Sequence, residues 1–351
     1  MVVSASIRRW LLPAVVATTL LAAACASDGS KTAAPSTQPA AHHPTSTTTT
    51  IDPGEPTEPA AGYGVGSLTL HLVDTSRPTK ASPTRNIAAS TSRKLDVLVL
   101  YPIAATSGGA TPVPDAPVAD GRFPVVEFSH GVTASGPAYA SFLAQVAQAG
   151  YVIAAPTFPL TSGAGAWTDL SDYVNQPADV SFVLDDVLAR DTKTGDPLDG
   201  HLATHEVAVA GHSLGAMTTY GFANSCCTEP RAKAMIAMSG VEPPYPGGTY
   251  DHPPKDLPAL LIHGTADTTV GYKGSVAAFA NLTAPRAFLT FPGASHTDVA
   301  FSPKDEPESV KAIVAFLTLE LRHDDAAWKA LPAKTAAASI QVAGGIAAPG
   351  G

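Results

Sequence analysis

The sequence has few cysteines and no concentration of positive charge. It contains three cysteines among 351 residues, and no group of His, Cys and Asp has the spacing of a zinc site. Asp and Glu outnumber Lys and Arg by 30 to 21, which gives a formal net charge of −9, and there is no basic run. Phosphate binding requires clustered Lys and Arg. We therefore expect no metal and no nucleic-acid partner.

The sequence also lacks the glycine-rich loops that hold nucleotide phosphates, and it contains no internal repeat. No G-x-G-x-x-G motif and no P-loop follows a predicted strand, so we expect no organic cofactor. Apolar residues make up 45% of the chain, which is ordinary for a protein with a sizeable core. No second domain boundary is evident. These properties indicate one globular domain.

The first 25 residues have the pattern of a signal peptide. Arg8 and Arg9 precede the apolar stretch 11–24, which is too short to span a bilayer comfortably and ends in small residues. Residues 21–25 resemble a bacterial lipobox, in which Cys25 becomes the lipidated first residue of the mature protein. We expect export to the bacterial cell envelope, with Cys25 anchoring the protein to the outer face of the cytoplasmic membrane, or secretion. An ordinary cleaved signal peptide with an incidental cysteine is the alternative.

Composition divides the rest of the chain into three parts. Residues 26–61 are rich in Ser, Thr, Pro and Ala, and cannot bury enough apolar surface to offset their ordering entropy. This segment is predicted to be a flexible tether. Residues 62–335 are predicted to form the folded domain, and the Ala- and Gly-rich residues 336–351 a disordered tail.

The folded part alternates between strand and helix patterns. Two segments in which apolar and polar residues alternate predict an antiparallel start to a sheet. Short apolar runs, each followed by a helical pattern, indicate a parallel sheet covered on both faces. We predict an α/β fold with a mostly parallel, eight-stranded sheet. The predicted strands are 67–73, 95–101, 123–128, 151–155, 205–210, 234–238, 259–263 and 286–291, and the predicted helices are about 138–149, 176–190, 213–224, 274–281 and 308–321.

A G-x-S-x-G motif stands between a predicted strand and a predicted helix. Residues 211–215 read Gly-His-Ser-Leu-Gly. A sharp turn there leaves no room for side chains at the flanking positions, and it raises the hydroxyl of Ser213 above the carboxyl edge of the sheet at a helix N-terminus. We therefore predict that Ser213 is a nucleophile. A glycine-rich turn without chemistry is the alternative.

A serine nucleophile needs a base within hydrogen-bonding reach, and here the base should follow an acid later in the chain. His296 lies in a loop just past the last predicted strand, from which it can reach Ser213. His323 after the last helix and His252 in a proline-rich loop are poorer candidates. His263 ends a predicted strand and is expected to pack. We predict that His296 is the base.

The acid that orients the imidazole is predicted to be Asp267. It follows the predicted strand 259–263 and lies one strand before the His296 loop. Glu242, in the loop after the preceding strand, is the competitor, because some hydrolases take their acid from that position.

Two backbone N–H groups are predicted to stabilise the oxyanion of an acyl-transfer reaction. One belongs to Leu214, directly after the nucleophile. The other is assigned to Val132 in the loop after strand 123–128, where Gly131 lets the backbone approach a substrate. His130 is expected to shape this loop rather than act as a base.

Four segments together resemble the α/β-hydrolases over nearly all of residues 62–330. Within them, the chain is most similar to the dienelactone-hydrolase-like group, which includes bacterial homologues of platelet-activating-factor acetylhydrolase and the cutinase-like polyester hydrolases. The resemblance implies hydrolysis of carboxylic esters by a triad of Ser213, Asp267 and His296. The segments that carry it are 125–131, 176–185, 209–216 and 262–267.

The chain departs from these relatives at two places. Polyester hydrolases usually carry a substrate-stacking Trp after the sixth strand, and residues 241–257 contain none, which argues against polyester cleavage. Dienelactone hydrolases proper use Cys as the nucleophile, whereas position 213 is Ser. The segment between Pro156 and Gln176 is short, which favours an open site and small to medium acyl groups.

Cys226 and Cys227 are adjacent in the sequence. In an exported protein they could form a vicinal disulfide, and two packed thiols are the alternative. Neither interpretation makes them catalytic.

Other functions remain compatible with the sequence. A serine peptidase or acyltransferase would use the same acyl-enzyme chemistry, and a lipoprotein that only binds its ligand would use the same fold. We expect a monomeric carboxylic ester hydrolase that acts on small to medium esters and touches the membrane only through its anchor.

Overall fold

The computed structural model describes residues 62–105, 109–250 and 257–350. The predicted signal peptide, the lipidation site Cys25 and nearly all of the predicted tether lie outside the described residues. So does His252, one of the alternative bases. No helix in the described part of the chain is long and apolar enough to cross a membrane.

A single mixed sheet of ten strands forms the centre of the described domain. Its strand order is β10-β9-β8-β7-β6-β4-β5-β2-β1-β3. The block from β5 through β4, β6, β7 and β8 to β9 is parallel, whereas β2 pairs antiparallel with both β1 and β5. The strands are β1 Gly64–Asp74, β2 Arg93–Ile103, β3 Pro112–Pro114, β4 Phe123–Ser129, β5 Val152–Thr157, β6 Leu202–His212, β7 Ala232–Met238, β8 Ala259–Gly264, β9 Arg286–Phe291 and β10 Ser339–Ala343.

Helices cover both faces of the sheet because the central strands are apolar on both sides. In β4, Val125 packs into the core cluster of one face and Val126 into that of the other, as the two-residue repeat of a strand requires. The first face is covered by α2, α3 and α4, and the second by α1, α5 and α6. The helices are α1 Ala140–Gln148, α2 Gln176–Ala189, α3 Leu214–Gly221, α4 Tyr272–Asn281, α5 Asp298–Phe301, α6 Glu306–Leu321 and α7 Ala326–Lys329. Short 3-10 segments lie at Pro83–Arg85, Gly136–Tyr139, Ala166–Asn175 and Arg190–Thr192.

The number of strands predicted from the sequence was too small, because the sheet has ten strands rather than eight. Both additional strands, β3 and β10, lie at the two edges of the sheet. Each has five residues or fewer and half-exposed side chains, so neither produces the apolar run by which a buried strand is recognised.

The C-terminal segment is also more ordered than its composition predicts. Residues 336–350 do not form a disordered tail, because β10 pairs antiparallel with β9 from Ser339 to Ala343. The fully buried indole of Trp328 donates a hydrogen bond to the carbonyl oxygen of Ala347 at 2.9 Å. Backbone pairing and one anchoring aromatic residue therefore compensate for the small side chains.

Three strands bring the predicted site residues to one edge of the sheet. Strand β6 ends immediately before Ser213, β8 ends three residues before Asp267, and β9 ends five residues before His296. Because β8 and β9 are parallel neighbours and only β7 lies between β8 and β6, their carboxyl ends meet at the same edge, where α/β folds bind ligands.

Candidate active site

Ser213 lies on a tight turn between β6 and α3. Its backbone has φ 59° and ψ −117°, a conformation that non-glycine residues rarely adopt and that is found mainly at functional sites. The flanking glycines make the turn possible. A Cβ atom at Gly211 would overlap the backbone of Gly215, and one at Gly215 would overlap the carbonyl oxygen of Ser129 in β4. The motif is therefore a steric requirement of this strand–turn–helix junction.

His296 lies between Ser213 and Asp267. Its Nδ1 is 2.7 Å from Asp267 Oδ2, and its Nε2 is 2.8 Å from Ser213 Oγ. An ionised carboxylate can only accept a hydrogen bond, so Nδ1 carries the proton and Nε2 accepts one from the serine hydroxyl. This arrangement of protons lets His296 remove the hydroxyl proton of Ser213.

Asp267 is held ionised by several donors. Burial by itself raises the pKa of this carboxyl, but the hydrogen bond from His296 and the backbone N–H groups of Val270 and Thr269 outweigh it. The pKa therefore lies below its usual range. The Oδ1 atom accepts both backbone hydrogen bonds, at 2.8 and 2.9 Å, which leaves Oδ2 for the imidazole.

A second imidazole contacts the same carboxylate. His263, at the end of β8, is fully buried, as expected from the sequence, and its Nε2 lies 2.9 Å from Asp267 Oδ2. The same Nε2 is 3.0 Å from the carbonyl oxygen of Val270. Both partners are acceptors, so this nitrogen carries the proton, while burial lowers the pKa of His263 and keeps the ring neutral. No sequence pattern predicts this contact.

The side chain of Glu242, the competing acid, bonds to an amide and not to an imidazole. Its Oε2 accepts a hydrogen bond from Asn281 Nδ2 of α4 at 3.0 Å, and burial raises the pKa of its carboxyl. The carboxyl group hydrogen-bonded to His296 is that of Asp267.

The loop after β4 lies directly against the turn that carries Ser213. A Cβ atom at Gly131 would be only 3.2 Å from the Cβ of Ser213, so glycine permits this approach. Val132 and Leu214 line the cleft that opens at Ser213. Leu214 begins α3, and the N–H groups of a first helical turn have no acceptor within the helix. Both predicted donors thus belong to segments that border the serine.

His130 stabilises this loop from inside. Its Nε2 accepts a hydrogen bond from the backbone N–H of Phe158 at 3.0 Å, and its Nδ1–H donates to the carbonyl oxygen of Gly131 at 2.7 Å. Burial lowers the pKa of His130 to about 4, so the ring stays neutral. Its two nitrogens are occupied by backbone groups, in agreement with a role in shaping the loop.

A cleft of about 240 Å³ opens beside Ser213. None of the described residues that line it carries a charge, and most are apolar. Trp167 projects into it with 56% of its surface exposed, which is unusual for so large an apolar side chain. The lining residues are Val132, Trp167, Leu170, Ser171, Tyr173, Ser213, Leu214, Met217, Thr269 and Val270.

Comparison with known proteins identifies the fold. A ferulic acid esterase from Streptomyces cinnamoneus superposes with a TM-score of 0.57 at 21% sequence identity, over 78% of this chain and 94% of that one. The chain has the α/β-hydrolase fold. Residues 105–256, which include Ser213 and end before Asp267, match the sequence model of the chlorophyllase family. A sequence comparison with curated proteins finds no match.

The α/β-hydrolase fold predicted from the sequence is thus confirmed, and so is its mostly parallel α/β architecture. The narrower similarity to the dienelactone-hydrolase-like group stays a prediction. Among the described residues, no group of three or more His, Cys, Asp or Glu residues is placed to hold a metal ion. Cys226 and Cys227 are joined by a disulfide bond.

Two ion pairs, one of them fully buried, hold one wall of the cleft. The 3-10 segment Ala166–Asn175 presents Trp167 to the cleft and two aspartates to the protein interior. Asp169 pairs with Arg85 at 3.1 Å, and Asp172 pairs with the fully buried Arg93 at 2.9 Å. This wall could not be predicted from the sequence, because a 3-10 segment has no helical repeat of apolar residues and its ion-pair partners are about 80 residues away.

Proposed function

We propose that this α/β-hydrolase cleaves carboxylic esters through an acyl-enzyme intermediate on Ser213. The observation that carries the proposal is the continuous hydrogen-bond chain from Ser213 Oγ through His296 to Asp267, with links of 2.8 and 2.7 Å. The solved structure with the same fold is named an esterase, which supports esters as the substrate.

In the acylation half, His296 Nε2 takes the proton of Ser213 as the serine oxygen attacks the ester carbonyl carbon. The carbonyl π electrons move to the oxygen, and the backbone N–H groups of Leu214 and Val132 stabilise the resulting oxyanion. The intermediate then collapses, the bond to the alkoxy group breaks, and His296 gives its proton to the leaving alcohol. The acyl group remains on Ser213.

Water completes the reaction by the same steps. His296 accepts a proton from a water molecule as the water oxygen attacks the acyl carbon. It then returns that proton to Ser213 when the carboxylic acid product leaves. Asp267 stays ionised throughout, holds the Nδ1–H tautomer, and stabilises the positive imidazolium that forms in each half.

The cleft favours a compact and uncharged substrate. A volume of about 240 Å³ is below the range of roughly 300–1,000 Å³ typical of sites for drug-sized ligands. A carboxylate or ammonium placed there would lose its hydration without gaining a partner, which is costly. We therefore expect neutral esters with small to medium groups to react faster than charged esters of the same size.

The location that we propose is the outer face of the cytoplasmic membrane, through lipid on Cys25. The proposal rests on the signal-like residues 1–25 and the Ser/Thr/Pro-rich segment that follows them. Expressed in a bacterial host, the protein should fractionate with membranes, and Cys25→Ser should release it or block its processing. A wild-type protein found wholly in the soluble fraction would contradict this part of the proposal.

A fluorophosphonate probe tests the catalytic proposal directly, because it labels activated serines irrespective of substrate. The wild type should be labelled on Ser213, and Ser213→Ala should neither label nor hydrolyse any p-nitrophenyl ester. Parallel assays with a matching anilide and with an added alcohol acceptor separate ester hydrolysis from peptidase and acyltransferase activity. An unlabelled wild type, or a Ser213→Ala variant that keeps its activity, would refute the proposal.

A further inference from the structure

Tyr139 and His212 form a hydrogen-bonded bridge beneath the reacting serine. Tyr139 ends the 3-10 segment Gly136–Tyr139, and His212 is the last residue of β6, directly before Ser213. Both side chains are almost completely buried, with 3% and 2% of their surfaces exposed. Neither was identified from the sequence, and neither takes part in the proton transfers described above.

The bridge connects three separate segments of the site. The backbone N–H of Gly131, in the loop after β4, is 3.3 Å from Tyr139 Oη. Tyr139 Oη is 2.8 Å from His212 Nδ1, and His212 Nε2 is 2.9 Å from the carbonyl oxygen of His296. One chain of three hydrogen bonds therefore runs from the loop of the second oxyanion donor, through the residue before the nucleophile, to the backbone of the base.

The two ends of the chain determine the direction of every hydrogen bond in it. A backbone N–H can only donate, so Tyr139 Oη accepts from Gly131 and directs its own proton to His212 Nδ1. A carbonyl can only accept, so His212 Nε2 carries the proton and donates it to His296. The neutral imidazole with its proton on Nε2 satisfies all three links at once. Burial supports the neutral ring, because it lowers the pKa of His212 to about 4.

A neutral ring at His212 also suits the chemistry of its neighbour. The ring centroids of His212 and His296 are 5.0 Å apart, and His296 becomes positively charged in both halves of the reaction. A like charge at that distance in a partly buried site would oppose the formation of the imidazolium. The hydrogen bond from Tyr139 favours the uncharged form, because the hydroxyl donates to the nitrogen that would otherwise take up a proton.

The bridge and the nucleophile border the same glycine, Gly131. A Cβ atom at Gly131 would be 3.2 Å from both Ser213 Cβ and Tyr139 Oη, and 3.4 Å from His212 Nδ1. Packing holds the phenol ring in place, with Phe128 of β4 at 4.8 Å on one side and Phe301 of α5 at 5.1 Å on another. The Tyr139 hydroxyl is therefore held in position, and it links the loop of Gly131 to His212.

From this geometry we propose that Tyr139 and His212 are positioning residues, which hold the oxyanion loop, the nucleophile turn and the His296 loop in register during ester hydrolysis. The inference rests on the proposed function of the Ser213 site. Neither side chain touches the substrate. Their effect should therefore appear in kcat, which depends on the alignment of reacting groups, and not in KM.

The first test compares two Tyr→Phe variants that each remove one buried hydroxyl. Tyr139→Phe keeps the packed ring but cuts the bridge. The matched control is Tyr101→Phe in β2, which removes a hydroxyl that donates to the carbonyl of Ala116 at 2.9 Å, outside the site. We expect Tyr139→Phe to lower kcat by about 10- to 100-fold with KM changed less than about threefold, since misaligned catalytic groups cost rates of this order. The control should keep kcat within about twofold, although both variants lose thermal stability.

Two substitutions of His212 separate the links. His212→Gln can place an amide N–H where Nε2 stands and keep the link to His296, whereas His212→Asn can only reach Tyr139. Because Tyr139→Phe already removes the one link that His212→Gln cuts, the double variant should be no slower than the slower single variant. His212→Asn combined with Tyr139→Phe should be slower than either alone. Additive losses in the first pair would show that the two residues act independently, and would overturn the proposal.

Fluorophosphonate labelling rates distinguish failure of this inference from failure of the proposed function. If the wild type is labelled on Ser213, the labelling rate of the Tyr139→Phe protein should be about one tenth of the wild-type rate or lower. Equal labelling rates and an unchanged kcat would refute the bridge while leaving the ester hydrolase intact. A wild type that is not labelled would instead refute the proposed function.

Discussion

Replacing Asp267 by Asn tests which carboxylate orients the base. The structure determines how the new amide must lie. The backbone N–H groups of Thr269 and Val270 donate to Oδ1 at 2.8 and 2.9 Å. The amide oxygen therefore stays at that position, because the proton on His263 Nε2, which points to Oδ2, has the carbonyl oxygen of Val270 as a second acceptor. The amide NH₂ then occupies the position of Oδ2, 2.7 Å from His296 Nδ1. A donor there requires Nδ1 to accept, and the imidazole proton moves to Nε2.

With its proton on Nε2, His296 can no longer accept the proton of Ser213. The variant also loses the negative charge that stabilises the imidazolium. We expect kcat to fall by about 10³ or more, as the loss of an equivalent triad carboxylate indicates, which corresponds to about 4 kcal/mol of transition-state stabilisation. KM should change little, because Asp267 does not touch the ester.

The matched control is Glu242→Gln. Glu242 bonds to Asn281 and not to an imidazole, so its kcat should change by less than about tenfold. Both variants are assayed for kcat and KM on one short p-nitrophenyl ester, with circular dichroism to confirm folding. If the effects were reversed, Glu242 would be the acid and the hydrogen bond between Asp267 and His296 would have no catalytic role.

Three further outcomes follow from other parts of the structure. Trp167→Ala should lower kcat/KM for benzoyl esters about tenfold, since it removes apolar contact area, but kcat/KM for acetyl esters by less than about threefold. The control is Val276→Ala, which changes an exposed residue of α4 outside the cleft. Equal losses on both esters would exclude Trp167 from the substrate site. Gly215→Ala should lower the free energy of unfolding by about 2 kcal/mol or more in urea titrations, because its Cβ overlaps a β4 carbonyl. Glu127 is fully buried, and burial raises its pKa well above the usual value. The folded state therefore binds more protons than the unfolded state above pH 4.5, and stability falls as pH rises. Glu127→Gln should be more stable than the wild type at pH 8 by thermal melting, and the difference should disappear near pH 4; a gap independent of pH would contradict this.

The central strands could be predicted because each is specified locally. The predicted runs 123–128 and 286–291 agree with β4 Phe123–Ser129 and β9 Arg286–Phe291, since a strand buried on both faces must be apolar along its whole length. The turn at 211–215 could be predicted for a similar reason, because its glycines are required by close backbone contacts at this one strand–helix junction.

Features that depend on distant contacts could not be predicted. Strand β10 pairs with the edge of β9, and the Ala- and Gly-rich segment that surrounds its five residues does not indicate that edge. The bridge between Tyr139 and His212 joins residues 73 positions apart. The contact between His263 and Asp267 is close in sequence, but it depends on how the loop after β8 folds back on the end of that strand. A single sequence contains no periodicity that reports such pairs.

The ion pairs behind the cleft anchor its wall without using the side chains that face the cleft. Arg85 and Arg93 hold the wall through Asp169 and Asp172, and neither aspartate faces the cleft. Side chains such as Trp167 and Leu170 can therefore be exchanged without disturbing either anchor or the catalytic loops. We therefore expect substrate range and catalytic competence to depend on different residues of this chain. A library confined to 167, 170 and 171, which leaves the contact of Tyr173 with Tyr245 intact, should retain folding while it varies the acyl group accepted.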